Sequence, residues 1–218
     1  MNILIGCEES QAVTMAFRAL GHNAFSCDLK PCSGGHPEWH LQMDVFEAIA
    51  MNDWDLGIFF PDCTYLTCSA EWAYKDGPYH QKVKPGTLVG EPRRQARNGA
   101  EKFFLALYNS KIPRVAIENP IGVMSSRFRK PDQVIQPHYF GDDASKGTCL
   151  WLKNLPILKK TEQCPPRMVN GRPRWANQTD GGQNKLPPTE NRAELRSKTY
   201  PGIATAMATQ WGAKNTKA

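Results

Sequence analysis

At 218 residues, with 40% hydrophobic and 22% charged side chains, the chain can bury one sizeable core and is too apolar to be globally disordered. No apolar run is long enough to cross a bilayer, and Met1-Asn2-Ile3-Leu4-Ile5-Gly6 has neither a basic leader nor a cleavage site, so no membrane is expected and the start reads as untargeted and cytoplasmic. The net charge of +6 is uneven: residues 1–150 hold 15 cationic against 17 anionic side chains, and residues 151–218 hold 12 against 4. Such a basic C-terminal third is either a surface that meets phosphate or a solvated tail.

In chain order, Asn2 to Gly6 reads as a buried strand and Ser10 to Leu20 as an amphipathic helix, with Ser10 as its N-cap and Gly21 as its stop. Ala24 to Cys27 is a second strand closing on Asp28, Asp44 to Met51 is helical, and Leu56 to Phe60 is an apolar strand stopped by Pro61. Pro92 to Ser110 is a helix with Phe103, Phe104, Leu107 and Tyr108 on its apolar side, and Val115 to Ile117 is a strand ended by Asn119-Pro120. Gln133 to Phe140 and Thr148 to Leu152 read as a hairpin at the sheet edge. Residues 160–195, rich in Pro, Gly, Asn and Arg, read as irregular, and Ile203 to Trp211 returns to helix. Alternating strands and helices imply βαβ units and a mainly parallel sheet, whose ligands bind beyond the carboxyl ends of the strands.

Seven cysteines, odd in number and unevenly spaced, make a poor disulfide framework. Cys27/Cys32, Cys63/Cys68 and Cys149/Cys164 are too far apart for a zinc knuckle, so no metal is expected and most of these thiols read as apolar fillers. Cys63 differs in standing just past a buried strand, in Pro61-Asp62-Cys63-Thr64, while Glu118-Asn119-Pro120 brings a carboxylate to the same edge from the next strong strand. A thiolate that adds at C6 of cytosine makes C5 nucleophilic, provided a nearby acid stabilises charge at N3, so one thiol and one carboxyl are the minimum side-chain set for C5 methylation. Taken singly, each residue also reads as ordinary packing or a solvated strand end.

The order of these motifs resembles the DNA cytosine-C5 methyltransferases, above all the short, virus-type members without a large target-recognition domain. Phe59-Phe60-Pro61-Asp62-Cys63-Thr64 is similar to the family's Pro-Pro-Cys nucleophile motif, and Ala116-Ile117-Glu118-Asn119-Pro120 to its Glu-Asn-Val motif. The resemblance covers roughly residues 2–160 and 190–212. It implies an α/β, Rossmann-like S-adenosylmethionine-dependent methyltransferase fold, mainly parallel with an antiparallel hairpin at one edge. It also implies Cys63 as nucleophile and Glu118 as the acid at N3, with Asn119 fixing either that carboxylate or the target-strand backbone. S-adenosyl-L-methionine would be held by Gly6, Glu8, Asp28, Asp44 and Pro61, with Asp28 on the ribose and Asp44 at the adenine.

Three departures stand out: only Gly6 survives of the glycine-rich first loop, Asp62 replaces the second proline, and no segment is long enough for a full recognition domain. The expected organisation is a catalytic domain over 1–158 and 196–212, a basic segment over 159–195 as a reduced DNA-recognition region, and a flexible tail over 213–218. DNA is the expected partner, contacted by Lys146, Arg172, Arg174, Arg192 and Arg196, with a protein partner supplying target recognition as a further possibility. The setting would be the cytoplasm of a bacterium or an infected host cell. Thr64 to Gly90, with Trp72, Tyr74 and Tyr79, reads either as a mobile loop that closes over a base or as a surface excursion. Two other classes stay open: a C5-modifying enzyme for free pyrimidine nucleotides, and a methyltransferase-like module that binds DNA or protein without turnover. An amino-methyltransferase lacks its Asp/Asn-Pro-Pro-aromatic motif here.

Overall fold

The structure, a computed structural model that describes residues 1–189 and 192–213, is organised by one seven-stranded sheet. Its first half alternates β1 (Asn2–Gly6), α1 (Ala12–Ala19), β2 (Asn23–Asp28), β3 (His40–Gln42), α2 (Val45–Met51), β4 (Leu56–Phe59), α3 (Gly90–Tyr108) and β5 (Val115–Pro120). A short α4 (Met124–Arg127), β6 (Gln133–Ile135) and β7 (Thr148–Lys153) follow. The spatial order is β3-β2-β1-β4-β5-β7-β6, and only β7 runs against its neighbours. Because β7 inserts between β5 and β6, the expected hairpin does end the sheet, with its first strand outermost. That strand stops at Ile135, short of Phe140, because Pro137 opens a 3-10 turn over Pro137–Tyr139.

Strand alternation divides the core into two layers. Ile3, Ile5, Leu56, Ile58, Ala116 and Leu150 face α1 and the C-terminal α6 (Pro201–Trp211), where Phe17, Ile203, Met207 and Trp211 meet them. Leu4, Phe59, Val115, Ile117 and Trp151 face α2 and α3, with Trp151 edge-on to Phe104 at 5.1 Å between ring centroids. Each of these large buried side chains contributes about 1.5–3 kcal/mol through removal of apolar surface from water. Gly202 lets α6 dock closely, since a Cβ there would sit 1.9 Å from the Phe140 carbonyl oxygen.

The basic segment is more ordered than its composition suggests. It forms a β-hairpin, β8 (Arg167–Val169) and β9 (Arg172–Arg174), and a short α5 (Arg192–Ser197). The signal was present: Asn170-Gly171 are both left-handed, at φ 49° and 73°, as a two-residue hairpin turn requires. Glu190 and Asn191 of this segment, and 214–218 of the expected tail, lie outside the described residues. Among the described residues no helix is long and apolar enough to cross a membrane.

Candidate active site

β4 and β5 are parallel neighbours, so the loops leaving their carboxyl ends lie side by side. Backbone contacts then join them. The Asn119 side-chain amide donates to the Pro61 carbonyl at 2.9 Å, Val123 N–H donates to the Leu66 carbonyl at 2.8 Å, and Thr67 and Gly122 form an isolated bridge. Only glycine fits at 122, where a Cβ would lie 2.1 Å from the Leu66 oxygen. Asn119 is buried, at 1% exposure, and its side-chain amide holds the loop that carries Cys63. Within that loop the Asp62 carboxylate turns onto the Thr64 N–H (2.8 Å) and hydroxyl (2.7 Å), and the Cys63 carbonyl accepts from Leu66 and Thr67 N–H. Cys63 and Glu118 are each left partly open.

Electrostatically the two are coupled. Burial raises the Cys63 thiol above its ordinary value, Asp62 and Glu118 raise it further, and Lys146 opposes them. Glu118 is likewise raised by burial, against the pull of Lys146 and a hydrogen bond from Thr148. Glu118, Lys146 and Thr148 line a cavity whose remaining walls include Phe60, Tyr200 and Ile203. Thr148 and Tyr200 carried no sequence signal, because only the β5–β7 pairing and the docking of α6 bring them here.

The β1–β2 side is built differently. Both Glu8 oxygens are occupied by α1: Oε1 accepts from Val13 N–H at 2.7 Å, and Oε2 from the Thr14 hydroxyl at 2.8 Å and Thr14 N–H at 3.2 Å. Glu8 therefore caps the helix in place of Ser10, because Gln11, left-handed at φ 59°, turns the chain between Ser10 and α1. Its burial raises its pKa to about 7 despite the three donors. Gly6 is required by packing, since a Cβ would lie 2.5 Å from the Phe59 ring. Asp44 caps α2, accepting from Phe46 N–H at 2.7 Å, and so precedes the helix rather than starting it. Asp28 ends β2 with one oxygen on Lys30 N–H at 2.9 Å and its other oxygen without a partner among the described residues. Asp28, Asp44 and Asp62 gather around Cys7, whose thiol is pushed up to about 12 by burial and by these charges. Of these three carboxylates, Asp44 and Asp62 are engaged with Phe46 and Thr64, and the second Asp28 oxygen is left able to accept a hydrogen bond.

The cationic candidates separate. Lys146 belongs to the cavity, with Nζ donating to the Arg196 carbonyl at 2.8 Å. Arg174 is held internally, through the Asp180 carbonyl at 3.0 Å and the Pro173 carbonyl at 2.8 Å, whereas Arg172 is exposed and without a partner among the described residues. Arg192 and Arg196 lie on α5, away from the β8–β9 ribbon in sequence. The Thr64–Gly90 stretch is anchored over its first half: Arg97 lies 3.3 Å from the Tyr74 ring centroid and donates to the Tyr65 carbonyl and to Glu71. Tyr74 itself is buried.

No protein-family model matches the chain, and no curated protein is similar to it at a significant level. Among solved structures it is similar to an E. coli prophage-encoded DNA modification methyltransferase, at 12% identity and a TM-score of 0.45 over 78% of this chain and 53% of the other. It is also similar to a variant of DNMT2 from Spodoptera frugiperda, at 14% identity and a TM-score of 0.44 over 79% and 57%. The chain thus spans little more than half the length of either. The strand order, with its single reversed strand beyond β5, is that of an open, mainly parallel, Rossmann-like α/β sheet.

Proposed function

We propose that the protein transfers a methyl group from S-adenosylmethionine to C5 of cytosine in DNA through a covalent Cys63 adduct. The observation that carries this reading is the joining of two strand ends through Asn119 and Gly122, which brings the partly exposed Cys63 thiol and Glu118 carboxyl to one sheet edge. An enzyme gains most from groups held in place before the substrate arrives.

In this mechanism the Cys63 thiolate adds to C6 of a cytosine swung out of the stack, since pairing and stacking hide that atom. Protonated Glu118 gives its proton to N3, so the displaced electron pair resides at C5. Burial favours this protonated form, and a neutral Glu118 also removes one of the charges opposing the thiolate. The cofactor supplies the electrophilic methyl that C5 takes, and Asp28, with Asp44 nearby, would hold it. Loss of the C5 proton to a base then lets the Cys63 sulfur depart with its electron pair, and N3 returns its proton to Glu118. Arg172 on its ribbon supplies a phosphate contact from outside the cavity.

The test is transfer of labelled methyl from S-adenosylmethionine to duplex DNA by wild type and Cys63→Ser. Transfer to C5 that disappears in the variant supports the reading. A folded wild type that binds DNA but transfers nothing overturns it in favour of a binding module. That alternative is itself favoured by one observation: Glu8 is occupied, and Ser33–Glu9 and Gln11–His36 hydrogen bonds fold residues 33–36 against the first loop.

A further inference from the structure

The basic segment is docked on the loop between β6 and β7 through a run of specific contacts. His138 stacks on Trp175 at 3.9 Å between centroids, Cys164 N–H donates to the His138 carbonyl, and Ala176 N–H donates to Asp143. Asn177 of this segment bonds both that loop and Tyr200 on the cavity wall. Its Oδ1 accepts from Ser145 N–H at 2.9 Å and its Nδ2 donates to the Ser145 carbonyl at 2.9 Å, so both sides of one backbone unit are gripped. The same Nδ2 lies 3.3 Å from the Tyr200 hydroxyl, on the cavity wall. Next to the gripped residue comes Lys146, whose N–H is held by Gln136 at 2.9 Å and whose ammonium reaches the Arg196 carbonyl.

On the other side, Asn177 is tied to the hairpin. Its carbonyl accepts from Lys185 N–H at 2.9 Å, and the adjacent Gln178 carbonyl accepts from Arg167 of β8 at 2.9 Å. A continuous series of bonds therefore runs from the β8–β9 ribbon to the cavity that holds Glu118. The groups near Glu118 are Lys146 after β6, Thr148 and Cys149 on β7, Cys63 after β4 and Tyr200 before α6. Lys146 is the cation among them.

We propose that Asn177 is a positioning residue, which couples the basic ribbon to the active cavity by holding Lys146 beside Glu118. Its kinetic consequence rests on the methyltransferase reading, and its electrostatic consequence does not. Losing the grip on Ser145 loosens the backbone next to Lys146, leaving it held by Gln136 and Arg196. As the ammonium draws away, the Glu118 carboxyl titrates at higher pH, since a nearby cation favours its ionised form.

The experiment follows the Glu118 carboxyl by carbon NMR across a pH series in wild type, Asn177→Ala, Lys146→Met and the double variant, with Glu118→Gln to assign the signal. Asn177→Ala should shift the titration upward, in the direction of Lys146→Met, and should add nothing in the Lys146→Met background. Methyl transfer by Asn177→Ala should lose about tenfold in kcat while KM for DNA stays within about twofold. If Asn177→Ala does not fold, Asn177→Ser is read in the same way. An unmoved Glu118 titration in the Asn177 variant, alongside a moved one in Lys146→Met, overturns the proposal, as does a loss confined to KM. A shifted titration in a protein that transfers no methyl group would keep the coupling and remove the catalytic reading.

Discussion

The two halves of the sheet's carboxyl edge use the same residue types in opposite ways. At β1 to β3 the polar side chains other than Asp28 are committed to shaping the protein: Glu8 and Asp44 cap helices, and Gln11 links Ser26 to His36. At β4 and β5 the shaping is done by backbone, by Asn119 and by the absence of a side chain at Gly122, while Cys63 and Glu118 stay partly exposed and cap no helix. An acidic residue at a strand end is thus a cap or a candidate acid according to whether unpaired N–H groups face it. The basic ribbon repeats the lesson, with Arg174 bonded inward and Arg172 unpartnered.

The sharpest way to break this comparison is Glu118→Gln, which should reduce methyl transfer about a thousandfold with little change in melting temperature. An equally active variant would class Glu118 with the structural acids. Gly122→Ala forces a Cβ toward the Leu66 oxygen and should cost about 2–3 kcal/mol in denaturant unfolding, with activity falling as the loops separate.

Glu8 tests the other half of the edge through pH. Its folded pKa of about 7 lies above the ordinary 4.5, so the fold binds the proton more tightly than the unfolded chain does. Its contribution is full below about pH 4.5 and is lost as pH rises toward 7, by up to about 3 kcal/mol. Urea midpoints compared between pH 5 and 7 should therefore fall more steeply for wild type than for Glu8→Gln, and parallel slopes would contradict the assignment. The smallest effect belongs to the ribbon. Arg172→Ala should weaken DNA binding a few-fold and lower the salt slope by about 1, whereas Arg174→Ala should leave that slope nearly intact.

Much of this was legible before any coordinates. Apolar runs stopped by Pro61 and by Asn119-Pro120 marked two buried strands, and hydrophobic periodicity marked α3, because these patterns are local and repeat along the chain. Proximity of Cys63 to Glu118 followed from Cys63 lying just past one strand and Glu118 near the carboxyl end of its parallel neighbour. The hairpin at Asn170-Gly171 was readable from its turn but was masked by a Pro- and Arg-rich setting.

What the sequence by itself determined is the rhythm of strands and helices and the residue types at the strand ends, since side-chain alternation and turn chemistry are set by near neighbours. Tertiary structure alone decided which of those residues stay available. Whether Glu8 caps a helix, Asn119 grips Pro61, Gly122 admits Leu66 or Lys146 reaches the Glu118 cavity depends on partners far away in the chain. A hydrogen bond needs its donor within about 3 Å. No local pattern encodes that distance.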